Sequence, residues 1–162
     1  MITKAVADCI EESVLCWFAT VSKDGAPNVS PKEAFMYDGN GKIFVANIAS
    51  PKTQTNLQYC DRVCVSFINV FTQRGYKVEG VAQLLKKHSR GFEDAHAKLV
   101  AMIGDVFRIA SIFEVNPVSV SEILAPSYRL FPDSDPIDRI RDSLKSYQVF
   151  DYLKKVEKSS NA

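Results

Sequence analysis

The chain has 162 residues, enough for one domain with a hydrophobic core of its own. Hydrophobic residues make up 46%, and 20 basic against 19 acidic side chains leave a formal net charge of +1, so no broad positive field marks a nucleic-acid partner. No apolar run has the length of a membrane span, and Asp8, Glu11 and Glu12 fall where a secretory leader needs an apolar stretch, which points to a cytoplasmic protein.

Thr3 is placed to cap a first helix reaching about Val14, with Val6, Cys9, Ile10 and Val14 on one face. Leu15–Ser22 is rich in apolar and β-branched residues and reads as a strand. Asp24-Gly25 makes a turn, Asn28–Tyr37 resumes an extended pattern, Asp38-Gly39-Asn40-Gly41 turns again, and Lys42–Asn47 is an apolar strand. The period then changes. Ser50 suits an N-cap and Pro51 a first helical position, giving a short helix to about Tyr59.

Val63–Val70 and Gly75–Leu85 read as two further strands. A helix from Ser89 to about Ile103 follows on Phe92, Ala95, Leu99 and Met102. Ile112–Leu124 is a sixth strand, broken near Asn116-Pro117 and ended by Pro126. Asp135-Pro136 opens a last helix at about 136–156, with Ile137, Ile140, Leu144, Phe150 and Leu153 as its apolar set, and Ser159 to Ala162 form a frayed end. Six antiparallel strands joined by hairpins, with helices at the joints and ends, predict one mainly β domain over 1–162, a closed or nearly closed β-barrel.

Cys9, Cys16, Cys60 and Cys64 read as free thiols, since the chain is not a short secreted one and no histidine neighbours a cysteine pair as a zinc site would need. His88 and His96 read as solvated histidines at the start of and within the Ser89 helix. Lys86-Lys87-His88 reads as a solvated turn, and Trp17 belongs either to the core or to an interface.

The segment Ser50-Pro51-Lys52-Thr53 follows a buried strand and opens a helix. The first backbone N–H groups of a helix lack internal partners, and the dipole there favours an anion. Lys52 opposes that dipole in a bare helix and suits it once a phosphate is bound. Spacing alone leaves two readings open: a plain cap beside a solvated lysine, or an anion site.

The blocks around this segment carry more. Phe18-Ala19-Thr20-Val21, Asp24-Gly25, Pro27-Asn28-Val29-Ser30, Asp38-Gly39-Asn40-Gly41 and Ile43-Phe44-Val45-Ala46-Asn47 occur in order. Ser50-Pro51-Lys52-Thr53, Asn56-Leu57, Arg62-Val63-Cys64-Val65-Ser66-Phe67 and Tyr76-Lys77-Val78-Glu79-Gly80 follow. Together they resemble the FMN-binding split barrel family related to pyridoxamine 5'-phosphate oxidase. The resemblance implies a six-stranded antiparallel split barrel that binds FMN, and a homodimer with each flavin at the subunit interface. It implies phosphate contacts from Ser50 and Lys52 with help from Thr53, and isoalloxazine contacts from Val45, Ala46 and Asn47. Further contacts would come from Ser30, Pro31, Lys32 and Glu33. Glu33 is either a group tuning the ring or an outward charge on a strand.

The chain departs from the oxidase in three ways. Ser30 stands where the oxidase has a phosphate-gripping arginine, leaving Lys52 as the main charge with Lys32 available to compensate. Pro51 removes one backbone donor. The tail Ser127-Tyr128-Arg129-Leu130-Phe131 has no counterpart of the arginines and tryptophan that hold the vitamin substrate. A true pyridoxamine 5'-phosphate oxidase is therefore not expected. Three functions remain: an oxidoreductase passing electrons or hydride between a reduced donor and a small molecule, a flavin-binding storage, sensing or regulatory module without turnover, or a barrel that has lost flavin or binds haem.

Overall fold

The computed structural model describes residues 2–104 and 106–160; of the end expected to fray, Asn161 and Ala162 lie outside the described residues. In chain order the elements are α1 (Lys4–Glu12), β1 (Cys16–Val21), β2 (Pro27–Lys32), β3 (Phe35–Tyr37), β4 (Ile43–Asn47), α2 (Pro51–Asn56) and β5 (Arg62–Asn69). They continue with β6 (Arg74–Leu85), α3 (Phe92–Ile103), β7 (Ser111–Leu124), α4 (Ser127–Leu130), α5 (Pro136–Ser146) and α6 (Val149–Ser160). Among the described residues, no helix is long and apolar enough to cross a membrane.

The seven strands form one antiparallel sheet in the order β2-β1-β5-β6-β7-β4-β3. Seven replace the six expected because the extended run Asn28–Tyr37 divides at Glu33-Ala34: β2 pairs with β1, whereas β3 pairs with β4. Lys32 ends β2 and Phe35 begins β3, yet these strands are the two edges of the sheet. Two or three residues of chain reach only about 10 Å, so the sheet must curl until its edges nearly meet. The result is a half-barrel split between β2 and β3.

Alternation along the strands makes two cores. Inside the barrel Phe18, Phe35, Ile43, Val45, Val65, Phe67, Val78, Phe113 and Val115 pack together, and α1 closes one end with Val6 and Ile10. Thr3 caps α1 by accepting from the Val6 N–H, as its position predicts. The helix stops at Glu12 rather than Val14, because Ser13 turns into extended backbone and its hydroxyl returns to the Cys9 carbonyl; Val14 is consequently exposed. The second core lies outside the barrel, where Phe92, Ala95 and Leu99 of α3 cover Ala34, Phe44, Ala46, Leu85 and Ile112.

α3 begins at Phe92, three residues later than Ser89 predicts. The Ser89 hydroxyl accepts from the Lys86 N–H and closes a turn, and Gly91 enters the helix at φ 85°. β7 runs through Asn116-Pro117 unbroken and absorbs the irregularity as a bulge opposite Glu79 and Gly80. Gly80 is required there, since a Cβ would lie 2.6 Å from the Asn116 carbonyl oxygen.

The single C-terminal helix expected is two helices, parted at Gln148 with φ 52°. Asp135 does open the first, accepting from the Ile137 N–H at 2.8 Å. Of its expected apolar set, Ile137 and Phe150 are exposed, Ile140 and Leu144 are half-buried, and the Leu153 side chain lies outside what the structure describes. Ring and polar contacts fasten this region: Tyr147 meets Phe71 edge-on with centroids 6.4 Å apart. Tyr128 lies between the guanidinium groups of Arg74 and Arg139, and its hydroxyl donates to the Thr72 carbonyl at 2.6 Å.

Candidate functional site

The ends of β2 and β4 meet at the split. One wall of a cavity of about 310 Å³ comes from Leu15, Pro31, Lys32, Glu33 and Ala34, and the other from Ala46, Ile48, Ala49 and Ser50. Ile103 and Phe107, at and beyond the end of α3, complete the lining. Helix α2 spans the same split with polar contacts. Ser30 and Thr53 share a hydroxyl hydrogen bond of 3.0 Å, and the Asn56 amide donates to the Thr20 hydroxyl at 2.9 Å.

Lys32 is the central group. It is only 7% exposed, and its ammonium donates to the Ser50 hydroxyl. Among the described residues it has no carboxylate partner. Its cross-strand neighbour is Cys16, whose thiol is fully buried. Burial pushes that thiol up to about 12, against the attraction of Lys32, so it stays neutral and supplies no counter-charge. Burial likewise lowers the Lys32 pKa. A cation held out of water without an anion is unfavourable, and an anionic ligand would relieve it.

Ser50 is held from behind. Asn47 is 3% exposed, donates to Gln54 at 2.8 Å and to the Ser111 hydroxyl at 2.8 Å, and accepts from the Ser50 N–H at 3.1 Å. The Ser50 side chain therefore does not cap α2 and is free to meet Lys32.

Of the residues singled out from sequence, Pro31, Lys32, Glu33, Ala46 and Ser50 gather around the cavity. Ser30, Val45, Asn47, Lys52 and Thr53 do not line it. Val45 follows the strand alternation into the barrel interior, and Thr53 is wholly buried with its hydroxyl turned to Ser30. Lys52 is exposed on α2. Glu33, also exposed, sits at the rim. Sequence reasoning missed Leu15, Ala34, Ile48, Ala49, Ile103 and Phe107, which carry no polar signal and come from joints between elements. The four cysteines are free thiols, as read.

A curled antiparallel sheet, split at its edges over a buried lysine and flanked by α3, defines the split-barrel class. The family model described as pyridoxamine 5'-phosphate oxidase matches residues 2–124, and the chain belongs to that family. None of the curated proteins matches this chain in sequence. Among solved structures, an FMN-binding protein from Syntrophomonas wolfei is similar with a TM-score of 0.65 at 14% identity, over 76% of this chain and 86% of its own. HupZ of Group A Streptococcus is similar with a TM-score of 0.64 at 19% identity, over 77% of this chain and 99% of its own. An F420 reductase is similar with a TM-score of 0.56 at 19% identity, over 74% and 98% respectively. At these identities the likeness is one of fold.

Proposed function

We propose that this chain is a cytoplasmic FMN-binding flavoprotein that works as a homodimer and passes electrons or hydride between a reduced donor and a small molecule. The observation that carries this reading is Lys32, a buried cation without a carboxylate partner, aimed at Ser50 on the wall of the cavity. That arrangement fits the phosphate end of FMN. Bound FMN would supply the hydride or electron transfer itself. The chain would hold it: Lys32 and the Ser50 hydroxyl bind the phosphate, and Asn47 fixes Ser50. Ala46, Ile48 and Phe107 offer apolar surface to the ring, and Lys52 adds charge from outside. Glu33 at the rim is placed to meet the ring or a substrate.

A cavity of about 310 Å³ is too small to enclose a whole flavin with its phosphate tail. A second copy of the chain would supply the remaining wall. Exposed Trp17, Val29 and Val118 give β1, β2 and β7 apolar surface for such a contact. FMN titration of the purified chain, followed by flavin fluorescence, tests the reading; no saturable binding refutes it. Light scattering on the loaded protein should give a dimer mass, and a monomer mass with flavin bound removes the interface site.

A second reading, a flavin-binding storage, sensing or regulatory module without turnover, is favoured by the mostly alkyl lining, in which Lys32 and Glu33 are the ionisable groups. Bleaching of bound flavin by NADH or NADPH, with recovery in air, supports turnover. Failure to bleach supports the module.

A further inference from the structure

Phe107 has two sides. One faces the cavity at the split; the other lines a separate groove of about 630 Å³ with Lys87, Phe92, Glu93, His96, Val100, Arg108, Ile109 and Ala110. We propose that this groove is a second ligand site, and that it takes a planar organic anion.

The groove has a built aromatic wall. His96 stacks on buried Phe92 with ring centroids 5.3 Å apart and planes 29° apart. Phe107 leaves 54% of its surface in water on the facing link between α3 and β7. A flat ligand would cover that ring, and aromatic surfaces gain from stacking beyond the area they bury. Val100 and Ile109 add an aliphatic floor.

The rim carries two cations against one acid among the described residues. Lys87, before α3, and Arg108, after it, make no ion pair or side-chain hydrogen bond among the described residues, and Glu93 is the one acid of the described lining. Sequence alone assigns Lys87 and His96 to solvent; the fold sets them in one groove with Arg108. The planar guanidinium of Arg108 suits carboxylate or phosphate oxygens, and Lys87 adds a point charge. Apolar walls with a few convergent polar groups are the make-up of a small-molecule site, and the volume lies in the usual range. None of the cationic groups here belongs to the proposed flavin site, whose charges are Lys32 and, from outside, Lys52.

The test is titration of the full chain with 1-naphthyl phosphate, followed by the ligand's own fluorescence, with and without saturating FMN. Measured with FMN saturating, so that the Lys32 site is filled, the affinity should fall at least tenfold in the double variant Lys87→Gln, Arg108→Gln. Neutral 1-naphthol should bind at least tenfold more weakly than the phosphate. All these substitutions at the groove are at exposed positions, so the fold is retained. With FMN saturating, equal affinity in the double variant, equal binding of 1-naphthol, or loss of probe binding altogether each overturns the assignment. If FMN fails to bind while 1-naphthyl phosphate still depends on Arg108, the flavin reading falls and this one stands.

Discussion

The ammonium of Lys32, at the end of β2, meets the hydroxyl of Ser50, just beyond β4, across the split in the barrel. β2 is one edge of the sheet and β4 lies next to the other, so this contact, like the Ser30–Thr53 hydrogen bond, bridges the split.

If Lys32 grips the phosphate, Lys32→Met weakens FMN binding by about 1.5–3 kcal/mol, the range for a hydrogen bond to a charged group. Lys52 is exposed on α2 and its charge is screened by water, so Lys52→Ala has the smaller effect. Fluorescence titration of both variants ranks them; the reverse order transfers the phosphate to Lys52.

Burial lowers the Lys32 pKa, so the unfolded chain binds more protons than the folded one between the depressed value and 10.5. Stability of the flavin-free protein therefore rises with pH through that window. Lys32→Met removes the penalty and melts higher than wild type at neutral pH, with the gap closing as pH climbs toward 10.5. Thermal melts at several pH values check the sign. A variant that melts lower throughout contradicts the uncompensated charge.

Asn47→Ala removes three hydrogen bonds, all of them buried or part-buried, and frees the Ser50 backbone. Unsatisfied buried groups cost about 1–3 kcal/mol each, so stability and FMN affinity fall together. Urea unfolding and flavin titration of the same sample measure the pair.

A Cβ at Gly75 would lie 2.0 Å from the Phe67 carbonyl oxygen and 2.8 Å from the Ile68 Cα. Both are backbone atoms of the paired strand β5, and neither can rotate away. Gly75→Ala should destabilise by about 1–3 kcal/mol or more, as overpacking does, seen as a lower melting temperature.

Tyr128→Phe keeps the ring between Arg74 and Arg139 and loses the bond to Thr72. The expected loss is about 1 kcal/mol. Tyr128→Ala removes both attachments, and limited proteolysis should then cut α4 to α6 away from an intact barrel.

Much of the fold is legible in the sequence because strands and turns are written locally. Asp24-Gly25 and Asp38-Gly39-Asn40-Gly41 mark hairpins, and Asp135 and Thr3 sit where their caps form. Long-range geometry is not written that way. Nothing in Asn28–Tyr37 says that its two halves belong to opposite sheet edges, since each half alternates correctly for a strand. The site divides along the same line. Ser50 and Lys32 carry polar signals, whereas Phe107 is one aromatic in an irregular link and becomes a wall only through α3. Thr53 and Lys52 share a local motif with Ser50, but α2 turns one inward and the other outward.

The short step from β2 to β3 has a consequence for how the protein assembles. Hairpins β1–β2 and β5–β6 join near neighbours in sequence and can form early, whereas β4 must find β7 more than sixty residues away. Lys32 and Ser50 do not wait for it, because the local β3–β4 hairpin lies between them and brings them together from only 18 residues apart. Their contact can form before the sheet is complete. An anion held there would tie β2 to the end of β4 while β7 is still to be placed.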